Sequence, residues 1–486
     1  MVEIYEYMAP RYPTYIFNEP ETIEECMPIA RHIVATKGHW STLGETFSKG
    51  DTLLIVAPGY QDKMVLEAIT LALKEAGAKD VLTVTPEEMG VPEKGESLSI
   101  DYGKNDAHEG WREAAGVKGG DWVGDRVELK MFKKYLVDHP EIDGAYYGTA
   151  GRGHIRGWLG PKVQDRFKTF WQLRNMEEFL WRFNNYPYTI WTMIEEWMAQ
   201  LLGSASDIRI TDPQGTDLRF SIPEAVSQLW EKLILRPNHM MAYPPMAFRV
   251  WPCTMNLEEY IKYSTPVWNT TEGTVASAQG HNGFYQAIKL HFKKGIVREI
   301  EGEGKCADAW RKNQEKWGDV QYPGFPEPGY LYHVDIAVAT NPKAFRSRYI
   351  WKQNVFGTDR MRAGVIHMGF GLENPDPKFG EFVHNEKVPG KHGSHVHIYF
   401  PTYAIKQRGT GRWLKVIDKG WITLFDNPMI RRLASTIGDP NSIFSYDWVP
   451  PLPGINMPGD YADYARDPAR WAEKELNLEF QIGKKY

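Results

Sequence analysis

Residues 52–84, TLLIVAPGYQDKMVLEAITLALKEAGAKDVLTV, decide the fold class. Two short apolar runs, TLLIV from Thr52 and DVLTV from Asp80, flank a segment where Met64, Ile69, Leu71, Leu73 and Ala76 recur at helical spacing. Apolar runs without polar alternation belong to parallel strands covered on both faces. Gly77 stands where a helix ends on a left-handed residue. The stretch reads as a βαβ unit and predicts an α/β N-terminal domain built on a parallel sheet. Its connecting turn, Ala57-Pro58-Gly59-Tyr60, lacks GxGxxG, so no dinucleotide site is implied.

Outward from this unit, residues 85–125 are rich in Gly, Pro and charge and read as surface loops. A further strand is expected at Ile142–Tyr147. The following GTAGRGHIRGWLG offers Gly151, Arg152, Gly153, His154 and Arg156 either as an anion-binding loop or as an irregular turn. Two apolar stripes at helical spacing follow, Phe167 to Phe183 and Ile190 to Leu201, the second closed by Gly203. Both read as core, since neither brings polar groups to one point. Asp212-Pro213-Gln214-Gly215 has the residue pattern of a type I turn between two alternating strands. Lys293-Lys294-Gly295 predicts a three-residue hairpin loop with Gly295 at the positive-φ position. A composition shift near 235–255 suggests an N-terminal α/β domain over 1–245 and a mixed α+β, β-rich C-terminal metal-binding domain over 246–486, with the Pro-rich segment from Trp448 wrapping the surface.

Composition narrows the function classes. The 486 residues carry 57 basic and 62 acidic side chains, mixed along the chain, which disfavours nucleic-acid binding. No apolar stretch approaches the roughly 18 residues of a membrane span, and MVEIYEYMAPRYP does not read as a secretory signal. A cytoplasmic protein is expected. Cys26, Cys253 and Cys306 are odd in number and widely spaced, giving neither a disulfide framework nor a CxxC site.

Histidine placement is the sharpest chemical signal. Six of the 14 histidines (His333, His367, His384, His392, His395 and His397) fall within residues 333–397, about three times an even spread. His395 and His397 are spaced i, i+2 in VHIYFPTY, a run of strand character, so both imidazoles point to one side about 7 Å apart. Asp335, in the apolar HVDIAVATNP, and His367, before a glycine pair, complete a candidate ligand set. Two or three imidazoles with one carboxylate suit a single Fe(II), Mn(II) or Zn(II) with open positions for water and substrate. The competing reading is a set of histidines that are satisfied core or surface groups.

The order TLLIV, ITDPQGTDLRFSI, TEGTVASAQG, IKLHFKKGIVREIEG, DIAVATNPKAF, GVIHMGFG, SHVHIYFP resembles the thermophilic aminopeptidase (aminopeptidase T and S) metallopeptidase family, and its 2,5-dihydroxypyridine dioxygenase relatives. The resemblance covers most of the chain, with extra sequence near 90–200 and after 440. It maps metal ligands onto Asp335, seven positions before Pro342, and onto His367, His395 and His397, the last standing where the family has aspartate. It also implies a homodimer. Peptidase members hold two metals through a glutamate that here aligns near Ile261, with Glu258 and Glu259 off register, and a tyrosine that is here Asn374. These departures point to one divalent ion. The dioxygenase relatives use a mononuclear iron held by two His and one Asp, an inventory that Asp335, His395 and His397 keep with positions exchanged.

The leading expectation is a mononuclear metal-dependent hydrolase that opens a small cyclic, ketone- or amide-like, substrate, with His333, Glu373 or Tyr399 moving the proton. A non-haem Fe(II) ring-cleaving dioxygenase, a metallo-aminopeptidase, and a binding protein with a structural histidine cluster are the alternatives.

Overall fold

The apolar runs at Thr52 and Asp80 form β1 (Thr52–Val56) and β2 (Asp80–Val84), paired in parallel and joined by a helix at Lys63–Glu75. The structure, a computed structural model, describes residues 20–35, 47–57, 61–90, 126–147, 166–169, 176–180, 186–227, 241–242, 257–280, 283–344, 362–371, 377–386, 388, 394–446, 449, 452–454 and 457–466. The joining helix starts on the Asp62 carboxylate, which accepts from the Val65 N–H at 3.0 Å. It ends on Gly77 (φ +110°), with the Gly77 N–H bonded to the Lys74 carbonyl and the Ala78 N–H to that of Leu73. Those crossed bonds are a Schellman ending, which needs the left-handed residue that the sequence supplies.

With β3 (Gly144–Tyr147) and β4 (Phe167–Thr169) the strands make a parallel sheet of order β2-β1-β3-β4. Both faces are covered. Leu53 and Ile55 pack with α1 (Ile23–Ala35) and α2 (Lys63–Glu75), whereas Leu54 and Val56 pack with Phe132 and Leu136 of α3 (Arg126–Asp138). This is the physical reason TLLIV carries no polar alternation. The helical reading of 167–183 is corrected at its start: residues 167–169 extend the sheet beside β3, and among the described residues of this stretch Met176–Phe179 is helical. The second stripe holds, as α4 (Tyr188–Gly203), burying Ile190, Ile194, Met198 and Leu202.

The rest of the strands build two antiparallel sheets. β5 (Ala205–Thr211), β6 (Asp217–Ser221), β8 (Glu272–Gly280), β9 (Gly283–Lys293), β10 (Ile296–Gly302), β14 (Thr402–Gln407), β15 (Trp413–Asp418) and β16 (Trp421–Ile422) form an eight-stranded sheet of order β10-β9-β8-β6-β5-β14-β15-β16. The second sheet, β13-β12-β11-β7, comprises β7 (Met241–Ala242), β11 (His333–Ala339), β12 (Ile366–Phe370) and β13 (Ser394–Ile398). Strand pairing therefore crosses the boundary expected at 245, because β5 and β6 bond to β14 and β8, and β7 to β11. Among the described residues no helix is long and apolar enough to cross a membrane. Cys26 and Cys306 are buried and unbridged; Cys253 and the glycine-rich loop at 151–156 lie outside the described residues.

Both expected hairpins form. In the first, the Asp212 carboxylate accepts from the Gly215 and Thr216 N–H groups at 3.1 and 2.9 Å, and Gly215 takes φ +115°. The second is tighter than expected. Lys293 pairs with Ile296, leaving a two-residue loop in which Lys294 (φ +52°) and Gly295 (φ +71°) are both left-handed. This is the pattern of a type I′ turn, whose twist matches that of the strands. A side chain at Gly295 would bring its Cβ within 2.7 Å of the Trp268 ring.

Two buried titrating groups give this fold opposing pH responses. Burial pushes the His32 pKa from 6.5 down to about 4, partly offset by a hydrogen bond to the Tyr186 backbone. Burial also raises the Asp212 carboxyl from 3.8 to about 6, opposed by the hydrogen bonds of its turn. Below pH 6.5 the unfolded chain protonates His32 and the folded chain does not, so the His32 contribution is full above 6.5 and lost as pH falls to about 4. Asp212 runs the other way, its folded form gaining the proton first, so its contribution is full below 3.8 and lost as pH rises through about 6. The signature is therefore a difference. Replacing His32 by Gln is expected to change the wild-type-minus-variant unfolding free energy by about 3 kcal/mol between pH 7 and 4. Denaturant titration at both pH values measures it, and parallel pH curves would refute it.

Candidate metal centre

The segments VIHMGF and SHVHI alternate between imidazole or glycine and large apolar side chains, so as paired strands they present two different faces. In β12 and β13 the register places His367 opposite His397 and Gly369 opposite His395; across β11, Ala337 faces His367 and Asp335 faces Gly369. Residues opposite one another in an antiparallel sheet share a face. Ile336, Val338, Ile366, Met368, Phe370, Val396 and Ile398, on the other face, are buried in the main core. The sheet thus presents one side of hydrocarbon and one side carrying the three histidines.

His367 and His397 are almost fully buried and His395 is 9% exposed. His367 Nδ1 lies 3.1 Å from His397 Nε2, and the His367 ring stands 4.8 Å from that of His395 and 5.3 Å from that of His397. The 3.1 Å separation is a hydrogen bond between the two rings, which a shared cation would replace. Among the described residues no group of three or more His, Cys, Asp or Glu side chains is placed to hold a metal ion. A third donor would come from His395, whose ring is stacked on His367 at 25°, or from Asp335, whose backbone position is described and whose side chain lies outside the described residues. The chemistry of the donors fits a borderline divalent cation. Gly369, which has no side chain, stands between the register positions of His395 and Asp335.

Of the proton-transfer candidates, the described residues include His333 and Tyr399. His333 and Asp335 are two residues apart, a spacing that normally shares a face. However, β11 has a bulge between them that pairs His333 with Phe370 and Asp335 with Gly369. The extra residue turns His333 to the apolar side, where its ring packs 5.7, 6.2 and 6.3 Å from those of Phe220, Phe292 and Phe370. Glu373 lies outside the described residues, as do His392 and the side chain of His384. Tyr399 is buried two residues beyond His397, with ring centroids 6.5 Å apart.

Contacts around the histidines include several that sequence reading missed. The Ser277 hydroxyl bonds to the His397 carbonyl at 2.9 Å and to that of Gln279 at 2.8 Å, on the outer side of edge strand β13. The Gln279 amide donates to the Tyr464 hydroxyl at 2.8 Å. At the far end of β11, the Trp191 indole donates to Thr340 Oγ1 at 3.1 Å, and that hydroxyl donates to the buried Glu195 at 2.7 Å. Apart from Ser277 and Gln279, these partners lie 120 to 185 residues apart in sequence, so no local pattern announces them.

No protein-family model matches the sequence, and no curated protein matches it. Among solved structures the chain is similar to 2,5-dihydroxypyridine dioxygenase from Pseudomonas putida KT2440, at 11% identity and a TM-score of 0.45, over 83% of this chain and 98% of that one. It is also similar to wild-type AmpT from Thermus thermophilus, at 14% identity and a TM-score of 0.40, over 82% of this chain and 98% of that one.

Proposed function

We propose that the chain is a mononuclear metal-dependent hydrolase that opens a small cyclic substrate, with His367, His395, His397 and Asp335 holding the ion. The observation that carries this reading is the buried meeting of three imidazoles on one sheet face, two of their nitrogens 3.1 Å apart. When bound, a divalent cation there supplies a polarised carbonyl and a water of lowered pKa. The protein's own part is to exclude bulk water, since the face is nearly inaccessible, and to orient the imidazoles through their strands. Tyr399 is the proton carrier this reading favours, being buried beside His397, whereas His333 stands across the sheet.

Elemental analysis of protein purified without oxygen and without a metal-binding tag tests the reading. About one manganese or zinc per chain supports it. About one iron, with oxygen uptake on hydroxylated aromatic compounds, transfers the site to ring-cleaving dioxygenation. Two ions per chain indicate the aminopeptidase, and none returns the histidines to a structural role.

A further inference from the structure

β13 is an edge strand, so its outward carbonyls must find partners away from their own sheet. Ser277 supplies one for His397. Immediately beyond the strand, Phe400 adopts φ +56°, a left-handed conformation that costs a non-glycine residue about 1 kcal/mol or more and persists only when its surroundings enforce it. Those surroundings include the segment 457–466. The Tyr461 hydroxyl donates to the Phe400 carbonyl and lies 3.2 Å from that of Tyr399. The Phe400 ring meets Tyr464 edge-on at 4.9 Å and 89°, and Tyr461 at 6.2 Å and 83°. Tyr464 in turn accepts from Gln279, whose own N–H donates to Ser277 Oγ at 3.1 Å.

We propose that Tyr461 and Tyr464 are positioning residues of the candidate metal centre, forming a C-terminal clasp that, with Ser277, fixes the main chain of His397. This rests on the reading of the histidines as metal ligands. The rings of the two tyrosines are stacked, 6.1 Å apart. Tyr461 holds the turn that follows His397, and Tyr464 holds the Gln279–Ser277 pair bonded to its carbonyl. Rotation or slippage of β13 would misplace His397 against His367, whose ring nitrogen is 3.1 Å away. Interactions that orient ligands without touching the metal typically change affinity 10- to 100-fold.

The test uses the full chain, stripped of metal and titrated with Co(II) while its visible ligand-field bands are followed. Changing Tyr461 and Tyr464 together to Phe is expected to weaken Co(II) binding by at least about tenfold and to alter those bands. Ser277→Ala is expected to do the same from the other side, and it decides the matter where the double variant does not fold. Tyr332→Phe is the stability control, since it removes a tyrosine bond of the same kind, to the Glu327 carbonyl, and is expected to leave Co(II) affinity and spectrum unchanged. If wild type binds Co(II) and the clasp variants bind it equally well, or no worse than Tyr332→Phe, the clasp is overturned and the metal reading stands. If wild type binds no Co(II), both fall together.

Discussion

Replacing His397 by Ala is expected to reduce bound metal from about one ion per chain to less than about a tenth, and turnover by about 10³-fold, equivalent to about 4 kcal/mol of lost transition-state stabilisation. The variant deletes one of two nitrogens 3.1 Å apart and leaves at most His367, His395 and Asp335 for an ion that needs adjacent positions filled. A matched control lies on the same sheet. His333→Ala deletes an equally buried imidazole, but one set among Phe220, Phe292 and Phe370. That change is expected to cost about 2–3 kcal/mol of stability through the cavity it leaves while keeping metal content near that of wild type. Metal analysis and denaturant unfolding of the two variants separate ligation from packing. Equal metal content in His397→Ala and wild type would remove His397 from the ligand set, and a loss confined to His333→Ala would reverse the assignment of faces.

The contrast between these two histidines also shows what the sequence could and could not reveal. Alternation in VIHMGF and SHVHI places His367, His395 and His397 on one face, because the side-chain period of a strand is two and the intervening residues are plainly apolar. The same rule applied to His333 and Asp335 fails at the bulge, since one extra residue inverts the face and nothing in HVD marks it. The βαβ unit was legible because Asp62, Gly77 and two unalternating runs each point the same way. β4 was not: three residues gain strand structure only from a partner some twenty positions earlier, against a local pattern of helical period. Lys294–Gly295 shows an intermediate case, where glycine marked the turn but the register that shortened the loop came from pairing. Ser277, Tyr461 and Tyr464 act on His397 and its neighbours through contacts between distant segments, which no window of sequence contains.

Gly364→Ala is expected to destabilise the protein by about 4 kcal/mol or more and to prevent accumulation of the folded chain at 37 °C. Gly364 lies three residues before His367, takes φ +80°, and its N–H bonds to the Ala339 carbonyl at 3.0 Å. An added Cβ would stand 1.7 Å from the Gly420 carbonyl oxygen and 2.7 Å from its carbon. Both are backbone atoms, so relief requires two chain segments to separate. Gly420 cannot retreat freely, because Phe400 fills the place where a Cβ on it would stand and its N–H bonds to the Pro401 carbonyl at 2.8 Å. Gly409 gives the comparison: at φ +83° it has the same backbone conformation, but nothing lies within 4 Å of its Cβ position. Gly409→Ala is expected to cost only the conformational part, about 1 kcal/mol. Thermal unfolding of the pair isolates the steric contribution, and equal losses would show that Gly364 and Gly420 do not approach as closely as described. Because Gly364 leads into β12 and Gly420 braces Phe400 at the end of β13, any Gly364→Ala protein that does fold is expected to bind metal more weakly than Gly409→Ala, by about tenfold or more. Both strands that carry the histidines end on this one backbone contact, so relieving it moves His367 relative to His397.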